Sequence, residues 1–153
     1  MKKTIHILLA TLLFVIAGCR TNNGDIGIYY GTWALDKITI NGVEATSWCD
    51  DGTWTTWSFQ NNIVSIERLN DLQDNYTTWG TWTDSNGTLA LDFRHYDDST
   101  PAGTGAYAAP TWIYFDTNTV TSLTIDSQSS KAMTLSTTDS SGRKLTYYLR
   151  KTY

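Results

Sequence analysis

The stretch TTWGTWTDSNGTLALDF, residues 77–93, decides the fold class of this chain. Two runs rich in threonine, tryptophan and leucine flank 84–87, a cluster of turn-forming residues. In the second run Leu89, Leu91 and Phe93 occupy every second position, which is typical of a strand that buries one face. The stretch therefore predicts an antiparallel β-hairpin.

The same pattern continues outward from this hairpin in both directions. Short turns join most of the runs, and no stretch after residue 29 has the apolar spacing of an amphipathic helix. Consecutive hairpins indicate antiparallel neighbours. The predicted strands are 31–40, 53–59, 63–69, 77–83, 88–93, 111–115, 120–126, 131–137 and 143–150.

We predict an all-β fold, a single antiparallel up-and-down barrel of about eight or nine strands. Closure is favoured because it removes the two exposed edges of a long meander. A β-sandwich is the alternative, and only the loop 94–110 is long enough to cross between two sheets. Within 31–40 the apolar residues change parity, which predicts a bulge near Asp36 and Lys37.

The first residues are typical of a secretory signal. Lys2 and Lys3 precede an apolar run over 5–16, which is too short to span a bilayer. The stretch Ile16-Ala17-Gly18-Cys19 at its end resembles a bacterial lipobox, which implies cleavage before Cys19 and a lipid on its thiol. We predict a signal peptide over 1–18, a flexible tether over 19–27 and one β-barrel domain over 28–153.

Charge limits the partners of the mature chain. Loss of Lys2 and Lys3 leaves nine basic residues against fifteen acidic ones, a formal charge of −6. Nucleic acids bind clustered basic residues, and no such cluster occurs, so a nucleic-acid partner is not expected. We expect membrane contact through the lipid on Cys19 alone. Under the enterobacterial sorting rule, Arg20 favours the outer membrane, with the protein facing the periplasm.

The sequence provides few residues that could carry out catalysis. After Cys19 the mature chain has one cysteine, Cys49, and one histidine, His95. A zinc site built from several histidines is therefore not expected, and the paired aspartates stand beside turn residues. We expect a protein that is not an enzyme, with no metal and no cofactor.

Two short motifs carry a family resemblance. Gly31-Thr32-Trp33 resembles the Gly-X-Trp of the lipocalin superfamily, and Arg150 stands in the last strand, where that superfamily places an arginine. With the lipobox, the chain is similar to small lipocalin-like lipoproteins of Bacteroidetes. The resemblance implies a structural pair in which Arg150 packs over Trp33 and joins the first strand to the last.

Tryptophan content favours a binding function. The spacing of Trp54 and Trp57, and of Trp79 and Trp82, predicts that each pair puts one indole inward and one outward. We predict that the barrel binds a small apolar or amphipathic ligand without chemistry, and that the loop 94–110 covers its mouth. The residues expected to touch the ligand inside are Trp57, Phe59, Leu89, Leu91, Tyr114, Leu135 and Tyr147.

The alternative is a structural module, or one that recognises proteins or carbohydrates, with a filled barrel and contacts made by exposed aromatic residues. The size of the interior distinguishes the two. A ligand pocket of about 300 Å³ or more favours a carrier.

Overall fold

The computed structural model describes residues 27–49, 52–70 and 75–152. The predicted signal peptide 1–18, Cys19 and the tether as far as residue 26 lie outside the described residues. The strands of the described part are β1 Gly31–Ile40, β2 Val43–Glu44, β3 Thr53–Gln60, β4 Ile63–Asn70, β5 Tyr76–Ser85, β6 Thr88–Asp92, β7 Thr121–Gln128, β8 Ala132–Thr138 and β9 Lys144–Lys151.

Eight of these strands form one closed antiparallel barrel. From β3 to β9 each strand pairs with the next, and β1 pairs with both β3 and β9. The short β2 pairs with β1 alone. The predicted up-and-down barrel is confirmed, and so is the bulge, which lies between Leu35 and Lys37.

The antiparallel order places the connections at two ends of the barrel. We call the ends the base and the mouth. The base carries the 3-10 helix Gly27–Tyr29 and the turns 61–62, 86–87 and 129–131. The mouth carries the turns 41–42 and 139–143 and the long connection 93–120.

The predicted strand 111–115 is wrong. This segment forms a 3-10 helix, Thr111–Ile113, after which Tyr114 has a positive φ of 68°. Ile113 and Phe115 are both buried, so the alternation in the sequence is real. These two side chains close the mouth instead of lining a sheet, and a run of five residues is too short for its period to distinguish the two.

The cation over Trp33 is Lys151, and the predicted pairing of Trp33 with Arg150 is wrong. Trp33 lies opposite Lys151 in the β1–β9 register, and Lys151 Nζ lies 5.2 Å from the ring centroid. Arg150 faces outward and its Nε lies 3.1 Å from a carboxylate oxygen of Asp36. Because neighbouring residues of a strand point to opposite faces, only one of the two cations can reach the ring.

Buried aromatic rings fill the centre of the barrel. Trp57 is fully buried, and the centroid of its ring lies 5.6 Å from that of Phe115 and 5.9 Å from that of Tyr147. Phe115 also contacts Phe93 and Tyr147. Aliphatic side chains from β1, β4, β6, β7, β8 and β9 complete the core.

Candidate functional site

Six of the seven side chains predicted to touch a ligand lie inside the barrel and are almost completely buried: Trp57, Phe59, Leu89, Leu91, Leu135 and Tyr147. Tyr114 is the exception. It lies half-buried at the rim of the mouth, where its hydroxyl is 2.6 Å from that of Ser47. A ligand contact at the other six stays a prediction, because in this structure they pack into one continuous apolar core.

The mouth is closed by residues 109–115, which we call the mouth plug. Ala109, Pro110, Ile113 and Phe115 are its buried members. The hydroxyl of Tyr147 donates a hydrogen bond of 3.0 Å to the backbone oxygen of Ile113, and burial raises the pKa of Tyr147. The barrel wall is thus linked to the plug at its centre.

The loop predicted to cover the mouth, 94–110, shares residues 109–110 with the mouth plug. The rest of the loop contacts the barrel in two places. At its end, the carbonyls of Ala106 and Ala108 accept hydrogen bonds from the buried Thr78 hydroxyl of β5. Two other residues of the loop, His95 and Tyr107, lie along the outer face of β5, where they form one side of a depression. We call this depression the outer groove.

The outer groove is an open, mainly apolar depression of about 340 Å³. About half of the surface of Ile63 and of Trp79 is exposed there, which leaves apolar side-chain area available to a ligand. Its lining residues are Ile63, Trp79, Gly80, Thr81, His95 and Tyr107.

Strand alternation builds the wall of the groove. Ile63 lies opposite Thr81 in the β4–β5 register, and Trp79 shares the outer face with Thr81 two residues away. Gly80 faces inward. A Cβ at Gly80 would lie 2.6 Å from the backbone oxygen of Asp92 and 2.8 Å from the Phe93 ring. Glycine therefore lets the end of β6 approach β5 closely.

One end of the groove is polar. Thr81 Oγ1 and His95 Nε2 lie 3.1 Å apart and share a hydrogen bond, in which the tautomer of the imidazole decides the donor. This bond holds His95, the third residue after β6, against the outer face of β5. An amphipathic ligand would find apolar surface along the groove and a polar pair at this end.

Asp97 organises the opposite wall. Its carboxylate accepts hydrogen bonds from the backbone N–H groups of Ser99 and Thr100, from the Ser99 hydroxyl and from the Tyr107 hydroxyl. These bonds, that of the Ser99 hydroxyl foremost, lower the pKa of Asp97 to about 2. The ionised carboxylate therefore positions the Tyr107 ring beside the groove.

Acid is expected to release Tyr107 from this wall. Because the pKa of Asp97 is lower in the folded chain than its ordinary value of 3.8, the ionised form stabilises the loop above about pH 4. That stabilisation is lost as the pH falls towards 2. NMR signals of the Tyr107 ring should shift with a midpoint near 2. They should not shift in this range in Asp97→Asn, and a wild-type midpoint near 4 would contradict the arrangement.

Sequence reasoning found only part of this site. It predicted exposed indoles, and Trp54 and Trp79 are exposed while Trp57 is fully buried and Trp82 partly buried. It did not select Ile63, because a single apolar residue after a turn gives no signal. His95 and Tyr107 were hidden in a polar loop.

Two further depressions lie at the ends of the barrel. The mouth has a small one of about 170 Å³ beside Tyr114 and Phe115. The base has an open one of about 620 Å³, which we call the base groove. The residues lining the base groove are Gly27, Ile28, Tyr29, Asn61, Asn62, Trp82, Thr83, Asp84 and Gln128.

Comparison with known proteins decides the type of barrel. No protein-family model matches the chain, and no curated protein has a significant sequence match. A solved structure of a lipocalin-like protein from Bacteroides uniformis is similar, with a TM-score of 0.56, 14% sequence identity and coverage of 82% of this chain and 100% of that one. The fold is lipocalin-like. The predicted resemblance is confirmed at the level of the fold.

Two other solved structures also match this lipocalin-like barrel. A protein of uncharacterised function from Bacteroides eggerthii has a TM-score of 0.50 and 12% identity over 81% of this chain and 99% of that one. Lobster apocrustacyanin A1 has a TM-score of 0.39 and 13% identity over 87% of this chain and 64% of that one. At these identities the likeness concerns the fold alone.

Lipocalin barrels can hold one small ligand inside. In this lipocalin-like barrel the interior is occupied by side chains of the chain itself. This is the filled barrel of the alternative interpretation, in which exposed residues make the contacts. Among residues 27–49, 52–70 and 75–152, no helix is long and apolar enough to cross a bilayer. The same residues bring no three histidine, cysteine, aspartate or glutamate side chains together for a metal ion.

Proposed function

We propose that this lipocalin-like barrel is a non-catalytic binding protein that holds a small apolar or amphipathic ligand in its outer groove. The observation that carries the proposal is the contrast between a packed interior and an open apolar groove of about 340 Å³ on the outer face. A volume of this order suits a small organic ligand.

The lining of the outer groove supports an amphipathic ligand in particular. The apolar part of such a ligand would cover Ile63 and the Trp79 indole. Its polar end would meet the hydrogen-bonding pair of Thr81 and His95. No lysine or arginine lines the groove, so a strong requirement for an anion is not expected.

We further propose that the protein acts at the bacterial envelope. The lipobox-like 16–19 supports a lipid on Cys19, and the acidic charge of the mature chain makes adhesion to anionic lipid unfavourable. Two or more acyl chains are enough for stable anchoring. Arg20 favours the outer membrane, with the barrel on the periplasmic side.

The segment 26–153 and the neutral apolar dye N-phenyl-1-naphthylamine test the outer groove directly. We expect the dye to bind with a Kd on the order of 10–100 µM, and lauric acid to displace it. Trp79→Ala should weaken binding about tenfold, because it removes the largest apolar surface of the groove. Dye fluorescence measures the affinity.

Trp54→Ala is the matched control for this test. Trp54 lies on β3, which β4 separates from β5, and both indoles have an exposed fraction of 46%. Binding that is equally weakened by both substitutions, or by neither, would argue against the outer groove.

One observation favours a second candidate, ligand entry into the barrel after the mouth plug moves. The Trp57 Nε1 atom is buried and has no hydrogen-bond partner among the described residues. A ligand oxygen at that position would satisfy the donor. In this case the dye would perturb the Trp57 indole N–H signal in the NMR spectrum, and Trp79→Ala would leave its affinity unchanged.

A further inference from the structure

We infer that the base groove is a second binding site, specific for a neutral saccharide unit. It lies at the end of the barrel opposite the mouth, between the 3-10 helix Gly27–Tyr29, the β3–β4 turn and the ends of β5 and β7. It shares no lining residue with the outer groove. The inference is therefore independent of the function proposed above.

Two aromatic rings form a fixed wall in the base groove. The ring centroids of Tyr29 and Trp82 lie 5.0 Å apart, with their planes tilted by 52°. Phe59 packs behind both, with its centroid 5.4 Å from that of Trp82 and 5.7 Å from that of Tyr29. The rings are thus held in place before a ligand arrives, which reduces the entropic cost of binding. Because Tyr29 is only 5% exposed, the partly buried Trp82 ring offers the surface on which the C–H face of a sugar ring would stack.

Uncharged amides and one carboxylate surround this wall. Asp84 accepts a hydrogen bond of 2.9 Å from the Tyr29 hydroxyl through one oxygen, Oδ2. The described residues provide no hydrogen-bond partner for its other oxygen or for the side-chain amides of Asn61 and Asn62. Gln128 completes the polar lining. Carboxylates accept bonds from hydroxyl groups, and amides both donate and accept, which is the set of partners that a polyhydroxylated ring requires.

The charge of the lining residues limits the class of ligand that the base groove can bind. No lysine or arginine lines the base groove, and Asp84 is the one carboxylic acid among its lining residues. The Lys151 ammonium donates a hydrogen bond of 3.2 Å to the backbone oxygen of Ile28 at this end of the barrel but does not line the groove. Phosphate, sulfate and fatty-acid carboxylates would therefore meet the Asp84 carboxylate without a cation in the lining. A neutral sugar is favoured over an acidic one.

Trp82 adds to the site an indole N–H group that could donate a hydrogen bond. Its Nε1 atom is buried without a hydrogen-bond partner among the described residues, although its ring lines the groove. Burial of an unpaired N–H group is unfavourable. A hydroxyl oxygen that reaches this atom after a small shift of the indole would remove that penalty.

The test uses the full chain in phosphatidylcholine nanodiscs, with its seven tryptophans labelled with ¹⁵N. The full chain is used because Gly27, the first described residue, lines the groove, and the nanodiscs accommodate its apolar N-terminal part. Maltotriose, cellotriose and mannotriose are each added up to about 20 mM, a range suited to millimolar affinity. A second set of nanodiscs contains digalactosyldiacylglycerol. Trp82→Phe identifies the Trp82 indole signal.

We expect a sugar to shift the Trp82 indole signal and to leave that of Trp79 unchanged. A shift with a free trisaccharide indicates a soluble glycan, and a shift in the glycolipid nanodiscs alone indicates a lipid-linked sugar. Either result supports the site. If neither condition shifts the Trp82 signal, the inference is overturned.

Variants at the rim complete the test. Asp84→Asn and Asn62→Ala should each weaken sugar binding, Asp84→Asn by about tenfold because it removes a charged hydrogen-bond acceptor. Asp98→Asn, which changes an exposed carboxylate in the 93–120 connection, is the matched control and should bind as the wild type does. Sugar binding that persists unchanged in both rim variants would also overturn the inference.

Discussion

Phe115→Ala is expected to lower the free energy of unfolding by about 3–5 kcal/mol, the usual cost of removing a buried aromatic side chain. Phe115 is 3% exposed and touches the rings of Trp57, Phe93 and Tyr147. Its loss would leave a cavity at the mouth between rings that cannot all move inward. Urea unfolding, followed by circular dichroism and tryptophan fluorescence, measures the effect.

Two further variants separate this effect from a general sensitivity to substitution. Phe115→Leu keeps most of the volume and should cost less than about 1.5 kcal/mol. Tyr96→Ala removes an aromatic ring that is 78% exposed, and should change stability by no more than about 0.5 kcal/mol. A Phe115→Ala variant as stable as Tyr96→Ala would show that the mouth plug does not pack in solution as described.

The same variant tests whether the interior can hold a ligand. An apolar cavity of the size of a phenyl ring can bind benzene. Benzene should therefore raise the unfolding midpoint of Phe115→Ala and leave that of the wild type unchanged. Stabilisation of the wild type by benzene, with a shift of the Trp57 indole signal, would favour ligand entry past the mouth plug over the outer groove.

The barrel itself could be predicted from the sequence because the patterns that specify its strands and turns are local. Alternation such as Leu89, Leu91 and Phe93 and turns such as Asn41-Gly42 depend only on residues near in the chain. Even the bulge after Leu35 follows from a change of parity within one strand. Closure then follows from the need to pair the edges of a meander.

The two errors have different causes, and only the first arose because distant segments decide the outcome. The run 111–115 has the pattern of a strand, but its apolar residues are used to close the mouth. The second error concerns the last strand. Its alternation of side chains already indicated that Arg150 faces outward, and the same alternation places Lys151 over the Trp33 ring. The family pattern outweighed that local geometry in the prediction.

The outer groove could not be predicted from any single stretch. Ile63, Trp79, His95 and Tyr107 come from two strands and two parts of one loop. Their proximity depends on the β4–β5 register and on the bond between His95 and Thr81. Neither the register nor this hydrogen bond can be inferred from composition or from a local pattern. The residues of the groove are brought together only by the tertiary structure.

Gly80→Ala is expected to cost about 3 kcal/mol, at the upper end of the range for overpacking. The new methyl group would lie 2.6 Å from the backbone oxygen of Asp92 and 2.8 Å from the Phe93 ring. The ring can rotate, but the oxygen belongs to the backbone at the end of β6 and moves only if the strand moves. Thermal and urea unfolding measure the loss.

Gly87→Ala is the comparison for this substitution. Gly87 has a φ of +77° and no atom within 4 Å of the added Cβ, so its cost of about 1–2 kcal/mol comes from backbone conformation alone. Gly80 has no such positive φ, and its cost is steric. Gly80→Ala should therefore be the more damaging of the two. The opposite order would contradict the close approach of β5 and the end of β6.

The steric effect of Gly80→Ala should lower the affinity of the outer groove for a ligand as well as the stability of the fold. To relieve the overlap, the chain from Asp92 to His95 must move away from β5, which lengthens the Thr81–His95 hydrogen bond and widens the outer groove. We expect dye affinity to fall in Gly80→Ala, even at temperatures where the variant is fully folded, and to be unchanged in Gly87→Ala. Because Gly80 offers no side chain to a ligand, a loss of affinity there would mean that the groove binds through the spacing of its walls.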